Sequence, residues 1–299
     1  MSAISVIIAT FNRPDDLRIC LEHILRQVIQ PIEVIIVDSS PNDRSRVVVE
    51  SFNDDLLRYF SSIKGLTRQR NLGIGKLNPN SEWCLFLDDD AVVDINCIKK
   101  FKEIIKLNNN DSNLGGVGGI DGNMSPTSFM RRLFLLPEFS FNRAGLKKSG
   151  YAVYPIAAGT QVIETQALNG FMMAYATKVF RDFLFDEHFS DYGYGEDLDF
   201  SCRVAGKYRL IIDTSWRCEH RQSPVSRLSL KRLFKMQLVN HHYWFRKNKK
   251  ICGFRWVDFF VSEFGRFIHS LSAAAKFRSI SPIIGYIEGA YLISKKSLQ

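Results

Sequence analysis

The chain has 299 residues, 45% of them hydrophobic, with 40 Lys/Arg against 31 Asp/Glu for a net charge of +9. That apolar share excludes a disordered protein, and the length accommodates one large α/β domain or a domain with an appendage. The charge is uneven. Arg221 to Gln299 holds 15 basic residues against three acids (Asp258, Glu263, Glu288), a net of +12, which leaves 25 basic and 28 acidic residues, net −3, in 1–220. The two parts are expected to meet different partners.

Six cysteines, Cys20, Cys84, Cys97, Cys202, Cys218 and Cys252, form no CxxC pair and sit mostly in apolar or helical contexts, so they read as reduced core residues. The N-terminus opens directly on a strand pattern, Ile4 to Ile8, without the basic segment and longer apolar core of a signal peptide. No stretch approaches the roughly 20 apolar residues of a membrane span. The expected location is cytoplasmic.

Strand and helix patterns alternate over the first 120 residues. Ile4–Ala9 is a strand, and Thr10-Phe11-Asn12-Arg13-Pro14 is a turn into a helix marked by Leu17, Leu21, Ile24 and Leu25. Strand Glu33–Val37 ends at Asp38 and leads to a helix around Arg46–Phe52. Strand Leu57–Phe60 leads to a helix near Thr67–Leu77. Strand Trp83–Leu87 ends in Asp88-Asp89-Asp90, before a helix from about Asn96 to Leu107. This alternation implies βαβ units and a parallel sheet. Gly115-Gly116-Val117-Gly118-Gly119 is a glycine-rich strand that suggests close approach of backbone or ligand. Residues 121–165 receive no firm assignment beyond an apolar stretch at Phe129–Leu136, and regular structure resumes at Gly170–Ala176 and Lys178–Phe185. From Ser226 the pattern is helical and amphipathic. Phe254–Phe277 is a further helical segment with six phenylalanines and Trp256, and Pro282–Ile293 is a last one.

Three adjacent carboxylates repel one another, and a divalent cation is the usual compensation. Thr10, Asp38, the Arg68–Arg70–Asn71 cluster and Asp88–Asp90 all follow predicted strands, so a parallel sheet sets them along one edge, where α/β folds bind ligands. Asp38 could accept from a base N–H, and Arg68 or Arg70 could pair with phosphate oxygens. Asp88 and Asp90 could hold a ribose hydroxyl and a Mg2+ or Mn2+ bridging a diphosphate. A second acidic cluster, Tyr192-Gly193-Tyr194-Gly195-Glu196-Asp197-Leu198-Asp199, opens a predicted helix running to Val204. Its acids either complement the helix dipole or supply a carboxylate that takes a proton from an acceptor hydroxyl. His220 stands alone after the strand-like Leu210–Ile212, and without HxxxH spacing a zinc site is not indicated.

Taken together, Ser5–Arg13, Val34–Ser40, Gly65–Gly73, Phe86–Asp90 and Gly193–Arg203 make the chain resemble a family 2 glycosyltransferase of the GT-A fold over about residues 1–222. The resemblance implies an α/β, Rossmann-like, mostly parallel sheet flanked by helices, and an inverting transferase that uses a nucleotide-diphosphate sugar and Mn2+ or Mg2+. It divides the chain into a catalytic domain, 1–222, with a nucleotide-sugar half at about 1–120 and an acceptor half at about 121–222, followed by a basic helical extension, 223–299. By position, Thr10 and Asp38 would contact the base, Arg70 and its loop with Arg68 and Asn71 the nucleotide, and Asp88 the ribose or sugar. Asp90 and His220 would ligate the metal, Glu196 would sit on the donor side, and Asp197 would be the general base. Where the family often has a second acid and a glycine after the position of Asp38, this chain has Ser39 and Ser40.

Two interpretations of the basic tail stay open. Its apolar positions pack on the catalytic domain, or they lie on an anionic membrane leaflet, with Tyr243-Trp244-Phe245-Arg246-Lys247-Asn248-Lys249-Lys250 as interfacial aromatics and cations. The resemblance favours the membrane, with a saccharide or lipid-linked saccharide as acceptor in cell-surface polysaccharide or lipopolysaccharide synthesis. A nucleic-acid-binding protein would leave both acidic clusters unexplained. A nucleotidyltransferase would be expected to carry an early glycine-rich phosphate loop, and the first strand here ends without glycine.

Overall fold

The structure is a computed structural model that describes residues 2–156, 159–189, 193–223, 225 and 228–296. Tyr192 and Ser226 of the motifs above lie outside the described residues. The chain runs β1 (Ile4–Thr10), α1 (Pro14–Leu25), β2 (Glu33–Asp38), α2 (Arg44–Ser51), β3 (Leu57–Ser61), α3 (Leu66–Ile74), β4 (Trp83–Asp88), β5 (Ala91–Val93), α4 (Cys97–Leu107) and β6 (Leu114–Asp121). It continues with α5 (Phe129–Leu133), β7 (Glu138–Ser140), β8 (Gly145–Leu146), β9 (Ala152–Pro155), β10 (Val162–Thr165), β11 (Met172–Ala176), a 3-10 turn at Thr177–Arg181, α6 (Glu196–Ala205) and β12 (Arg209–His220). Three helices close it: α7 (Leu230–Cys252), α8 (Trp256–Phe277) and α9 (Ser281–Lys296).

The main sheet has the order β10-β12-β6-β11-β4-β1-β2-β3, with β5 pairing β12. It is parallel across β4, β1, β2 and β3, and β11 enters antiparallel between β4 and β6. Strand side chains alternate between faces, which decides the layers. Ile4, Val6 and Ile8 join one core with Leu17 and Leu21 of α1 and Phe101 of α4, whereas Ile7, Ile35 and Phe86 join the other with Phe200 and Val204 of α6. The glycines of β6 are demanded by neighbouring strands rather than by a ligand: a Cβ at Gly116 would lie 2.8 Å from Leu210 Cδ2 and 2.9 Å from Tyr175 Cδ1.

Residues 121–165, which had no firm assignment, contribute a small second sheet, β7-β9-β8, and the edge strand β10 of the main sheet. In the small sheet, buried Glu138 is held by Lys147 at 2.8 Å. A third core joins this sheet to the C-terminal helices, packing Ala152, Phe189 and Leu198 against Trp244, Phe245 and Phe259.

Two expectations are corrected here. Trp244 and Phe245 are fully buried, and Tyr243 donates to Asp186 at 2.7 Å, so this segment of α7 packs inward and its aromatics form no exposed stripe. Of the six cysteines expected to be reduced, Cys20, Cys84, Cys97 and Cys218 are free and buried, but Cys202 of α6 and Cys252 of α7 are disulfide-bonded, with Cα atoms 6.8 Å apart. Spacing along the chain carried no sign of this pair because the two helices meet only in the folded molecule.

Candidate active site

The carboxyl ends of β1 and β4, the start of β11 and the N-terminus of α6 converge on a cavity of about 320 Å3. Thr10, Arg70, Asp88, Glu196, Asp197 and His220 line it. The aspartate triplet divides by environment. Asp88 ends β4 opposite Phe171, whose carbonyl accepts from the Asp88 N–H at 3.1 Å. Its carboxyl is raised by burial, against the pull of Arg70 (3.4 Å) and His220 (3.9 Å). Asp89 turns back toward β1 and accepts from Thr10 Oγ1 at 2.7 Å and Arg13 Nη1 at 3.0 Å, and burial pushes it up to about 7 in spite of both. Asp90 is held below the ordinary carboxylate range although burial works the other way, because His220, the Ser223 N–H and Arg13 outweigh it.

His220 reaches this triplet through strand register. β12 pairs antiparallel with β5, placing His220 opposite Ala91, next to Asp90. Its ring stacks on Phe171, with centroids 5.2 Å apart, and Nε2 lies 3.1 Å from Asp90 Oδ1. Burial lowers the His220 pKa, but the three carboxylates Asp90, Asp88 and Asp121 raise it overall.

One ligand atom each from Asp88, Asp90 and His220 lies within 4.8 Å of the others. Asp90 Oδ1 is buried and meets no donor in hydrogen-bonding geometry among the described residues. A buried carboxylate oxygen 3.1 Å from an imidazole nitrogen, with a second carboxylate within reach, fits an oxygen- and nitrogen-ligated divalent cation.

The second acidic cluster closes the opposite wall. α6 starts after Gly195, which is in the left-handed region at φ 89°, and places Glu196 and Asp197 in its first turn. Asp197 accepts from the Gly170 N–H at 3.0 Å and the Leu198 N–H at 2.9 Å, yet burial still raises its pKa. Glu196 pairs with Arg70 Nη1 at 2.8 Å; burial and then the Asp197 carboxylate push it up to about 8 against that pairing. Arg70 Nη2 also donates to the Gly170 carbonyl at 3.0 Å. The Gly170 peptide is therefore clamped from both sides, and a Cβ there would crowd Arg70 Nη2 and Glu196 Oε1 at 3.3 Å each. Arg70 is the tie between the two acidic clusters.

Other expected residues lie off the cavity. Asp38 does not line it; its buried carboxylate accepts from the Ser40 N–H at 2.8 Å, the Ser40 hydroxyl at 2.5 Å and Tyr59 at 2.8 Å. Arg68 points to Glu187 at 3.4 Å, and Asn71 pins the loop at Phe185 through its amide, donating at 2.9 Å and accepting at 2.9 Å. Several lining residues carried no expectation. Ser39 has a buried hydroxyl without a partner among the described residues, and Phe11 lies under Lys64, 4.5 Å from ring to Nζ. Tyr151, Tyr154 and Tyr194 form an aromatic wall with Pro137. Residues 121–165 lacked periodicity, so their aromatics gave no signal; Ser39 and Phe11 sat inside quoted motifs and were legible by position.

A parallel half-sheet with carboxylates at its strand ends, a mixed half with a second acid-bearing helix, and the cleft between them define the GT-A class of glycosyltransferases. Residues 5–168 match the family model "Glycosyl transferase family 2", and the chain belongs to that family. Among relatives, it is 29% identical over 122 residues to the glycosyltransferase GlyG of Streptococcus pneumoniae serotype 4, covering 40% of each chain. It is 32% identical over 95 residues to the GalNAc(5)-diNAcBac-PP-undecaprenol beta-1,3-glucosyltransferase of Campylobacter jejuni, covering 30% of each. The chain thus spans well under half the length of these curated relatives. Among solved structures, the mannosyltransferase PcManGT of Pyrobaculum calidifontis, in complex with GDP-Man and Mn2+, superposes with a TM-score of 0.60 at 17% identity, covering 97% of this chain and 79% of that one.

Proposed function

We propose that the protein is an inverting hexosyl- or deoxyhexosyltransferase that moves a sugar from a UDP- or dTDP-linked donor to a saccharide or lipid-linked saccharide in cell-surface polysaccharide synthesis. The observation that carries this reading is the pairing, across one cavity, of a metal-competent Asp88–Asp90–His220 group with a half-buried carboxylate, Asp197, on the facing helix. The undecaprenol-linked acceptor in the name of the Campylobacter relative supports the lipid-linked class. The division into a catalytic part, 1–222, and an extension, 223–299, belongs to the same proposal, as does peripheral contact with the anionic cytoplasmic face of a membrane.

In this reading Asp90 and His220, with Asp88 in reach, hold Mn2+ or Mg2+. The cation, when bound, supplies positive charge against the departing diphosphate. Asp197 takes the acceptor hydroxyl proton as the new glycosidic bond forms at the anomeric carbon and the bond to the diphosphate oxygen breaks, releasing nucleoside diphosphate. Arg70 keeps Glu196 and Gly170 in place, and through them Asp197. Thr10, Ser39 and Phe11 face the nucleotide; Asp38 acts from behind, through Ser40 and the loop it orders.

The test is nucleoside diphosphate release from a panel of UDP- and dTDP-sugars with Mn2+ or Mg2+. Asp197→Asn should lower transfer by about 10²–10⁴-fold while a donor-induced thermal shift persists. Asp90→Ala should remove the metal dependence of that shift. Near wild-type transfer by the Asp197 variant overturns its role, and pyrophosphate in place of nucleoside diphosphate overturns the reaction class.

A further inference from the structure

α8 is built inside out. Its inward face buries Phe259 and Ala273 but is otherwise rich in polar groups: Ser262 and Ser270 are fully buried, and Glu263 and Arg266 are only 6% and 5% exposed. Each of these four has partners that reward this. Glu263 meets His241 Nδ1 at 2.5 Å, Arg266 donates to Gln237 at 2.7 Å and to the Tyr151 hydroxyl, and the two serines donate to the Phe259 and Phe267 carbonyls. The outward face is apolar. Val257, Phe260, Phe264 and Leu271 are 74%, 64%, 59% and 43% exposed, at the three- and four-residue spacing of one helical stripe. A water-facing helix has the opposite arrangement, so this stripe is an interaction surface.

The stripe does not end at α8. Phe134, just after α5, packs edge-on against Phe264 with centroids 5.9 Å apart, which brings α5 alongside. α5 adds exposed Phe129, Met130 and Leu133. The charges around this surface have one sign. Arg131 and Arg132 sit on α5, Arg132 with its Nε 3.6 Å from buried Glu138, and Lys276 and Arg278 close α8. Within α8 the two acids are spoken for, Asp258 by Arg255 and Glu263 by His241.

We propose that this α5–α8 face is where the protein lies on an anionic lipid bilayer, its aromatics at the level of the headgroups and its cations against lipid phosphates. A second copy of the chain would bring the same cations to the same edge, whereas an anionic leaflet complements them. No helix among the described residues is long and apolar enough to cross a membrane. The geometry also gives the contact a purpose, one that rests on the lipid-linked acceptor proposed above. Pro137, four residues past Leu133, lines the cavity, and Tyr151, held by Arg266 of α8, lines it too. The aromatic, acceptor-facing wall of the cavity is thus continuous with the docking face.

The experiment is flotation of the full chain with vesicles of phosphatidylcholine alone or mixed two to one with phosphatidylglycerol, at low and high salt. It needs neither donor nor acceptor, so its failure is separate from failure of the transferase reading. The expected result is flotation with the mixed vesicles that weakens with salt. A Phe260→Asp/Phe264→Asp double variant should bind at least about tenfold less, with an unchanged thermal melt and an unchanged response to Mn2+. Lys276→Glu/Arg278→Glu should lose the part that salt removes. The proposal is overturned if wild type stays in the soluble fraction at low salt or if the Phe variant floats equally well. Light scattering that shows a wild-type dimer dissolved by the Phe substitutions would give the face to a second copy instead.

Discussion

Three consecutive aspartates show how far one residue's chemistry depends on which way it turns. Asp88 faces the cavity, Asp90 faces His220, and Asp89 is a strut that ties β4 back to Thr10 and Arg13. The same logic governs Asp197, whose burial disfavours the charged form more than the Gly170 N–H, Arg70 and the Leu198 N–H together favour it. The sign of the consequence is definite. A raised carboxyl pKa keeps the proton on to higher pH, so the ionised base is lost earlier on acidification. The acid limb of kcat/KM should therefore fall above the ordinary aspartate value of about 3.9. A pH–rate profile with its limb at that ordinary value would count against Asp197 as the base.

At the scale of elements, the helix that carries Asp197 is anchored by its far side. Asp199, fully buried two residues on, accepts from Asn248 Nδ2 at 2.7 Å and Lys247 at 2.9 Å on α7, and from Arg203 at 2.9 Å on its own helix. The Cys202–Cys252 disulfide closes a 50-residue loop across the same contact. Cross-links of this span stabilise by about 2–4 kcal/mol, mainly through the unfolded chain. Denaturant unfolding of wild type should accordingly shift to lower midpoint on adding reductant, and Cys252→Ser should match the reduced protein and ignore reductant. Superimposable wild-type curves with and without reductant would show that the bond contributes nothing.

For the molecule as a whole, the first two C-terminal helices share a core with the sheet-bearing part. Trp244, Phe245, Phe254 and Phe259 complete a core with Phe189, Leu198 and Ala152, and His241 stacks on Tyr151 with ring centroids 4.0 Å apart. Burying a side chain of this size is worth roughly 1.5–3 kcal/mol, so four of them approach the 5–15 kcal/mol that holds a typical protein folded. A chain ending at residue 222 should fail to give a folded monomer, with dye binding to exposed apolar surface and no cooperative melt. A sharp melt from that truncated chain would show the catalytic part to be independent of its extension.

Local pattern in the sequence determined the order of strands and helices from β1 to α4, apart from β5, and the α/β class, while the motif resemblance supplied the GT-A fold. Local pattern also determined the acids at strand ends, because strand alternation, helix periodicity and turn residues act over a few positions. The motif resemblance then reached Asp197 and His220. Only the tertiary structure decided which of these side chains share a space. β5–β12 register brings His220 to Asp90, Arg70 ties the two acidic clusters, and Arg68, Asn71 and Asp38 face away from the cavity or lie behind it. It also decided the cysteine pair, the inward turn of Trp244 and Phe245, and the outward turn of Phe260 and Phe264. The physical reason is common to all of these. Periodicity tells that a helix has an apolar stripe and a polar one, but which stripe is covered depends on partners distant in the chain. For α8 those partners, His241, Tyr151 and Gln237, took the polar side.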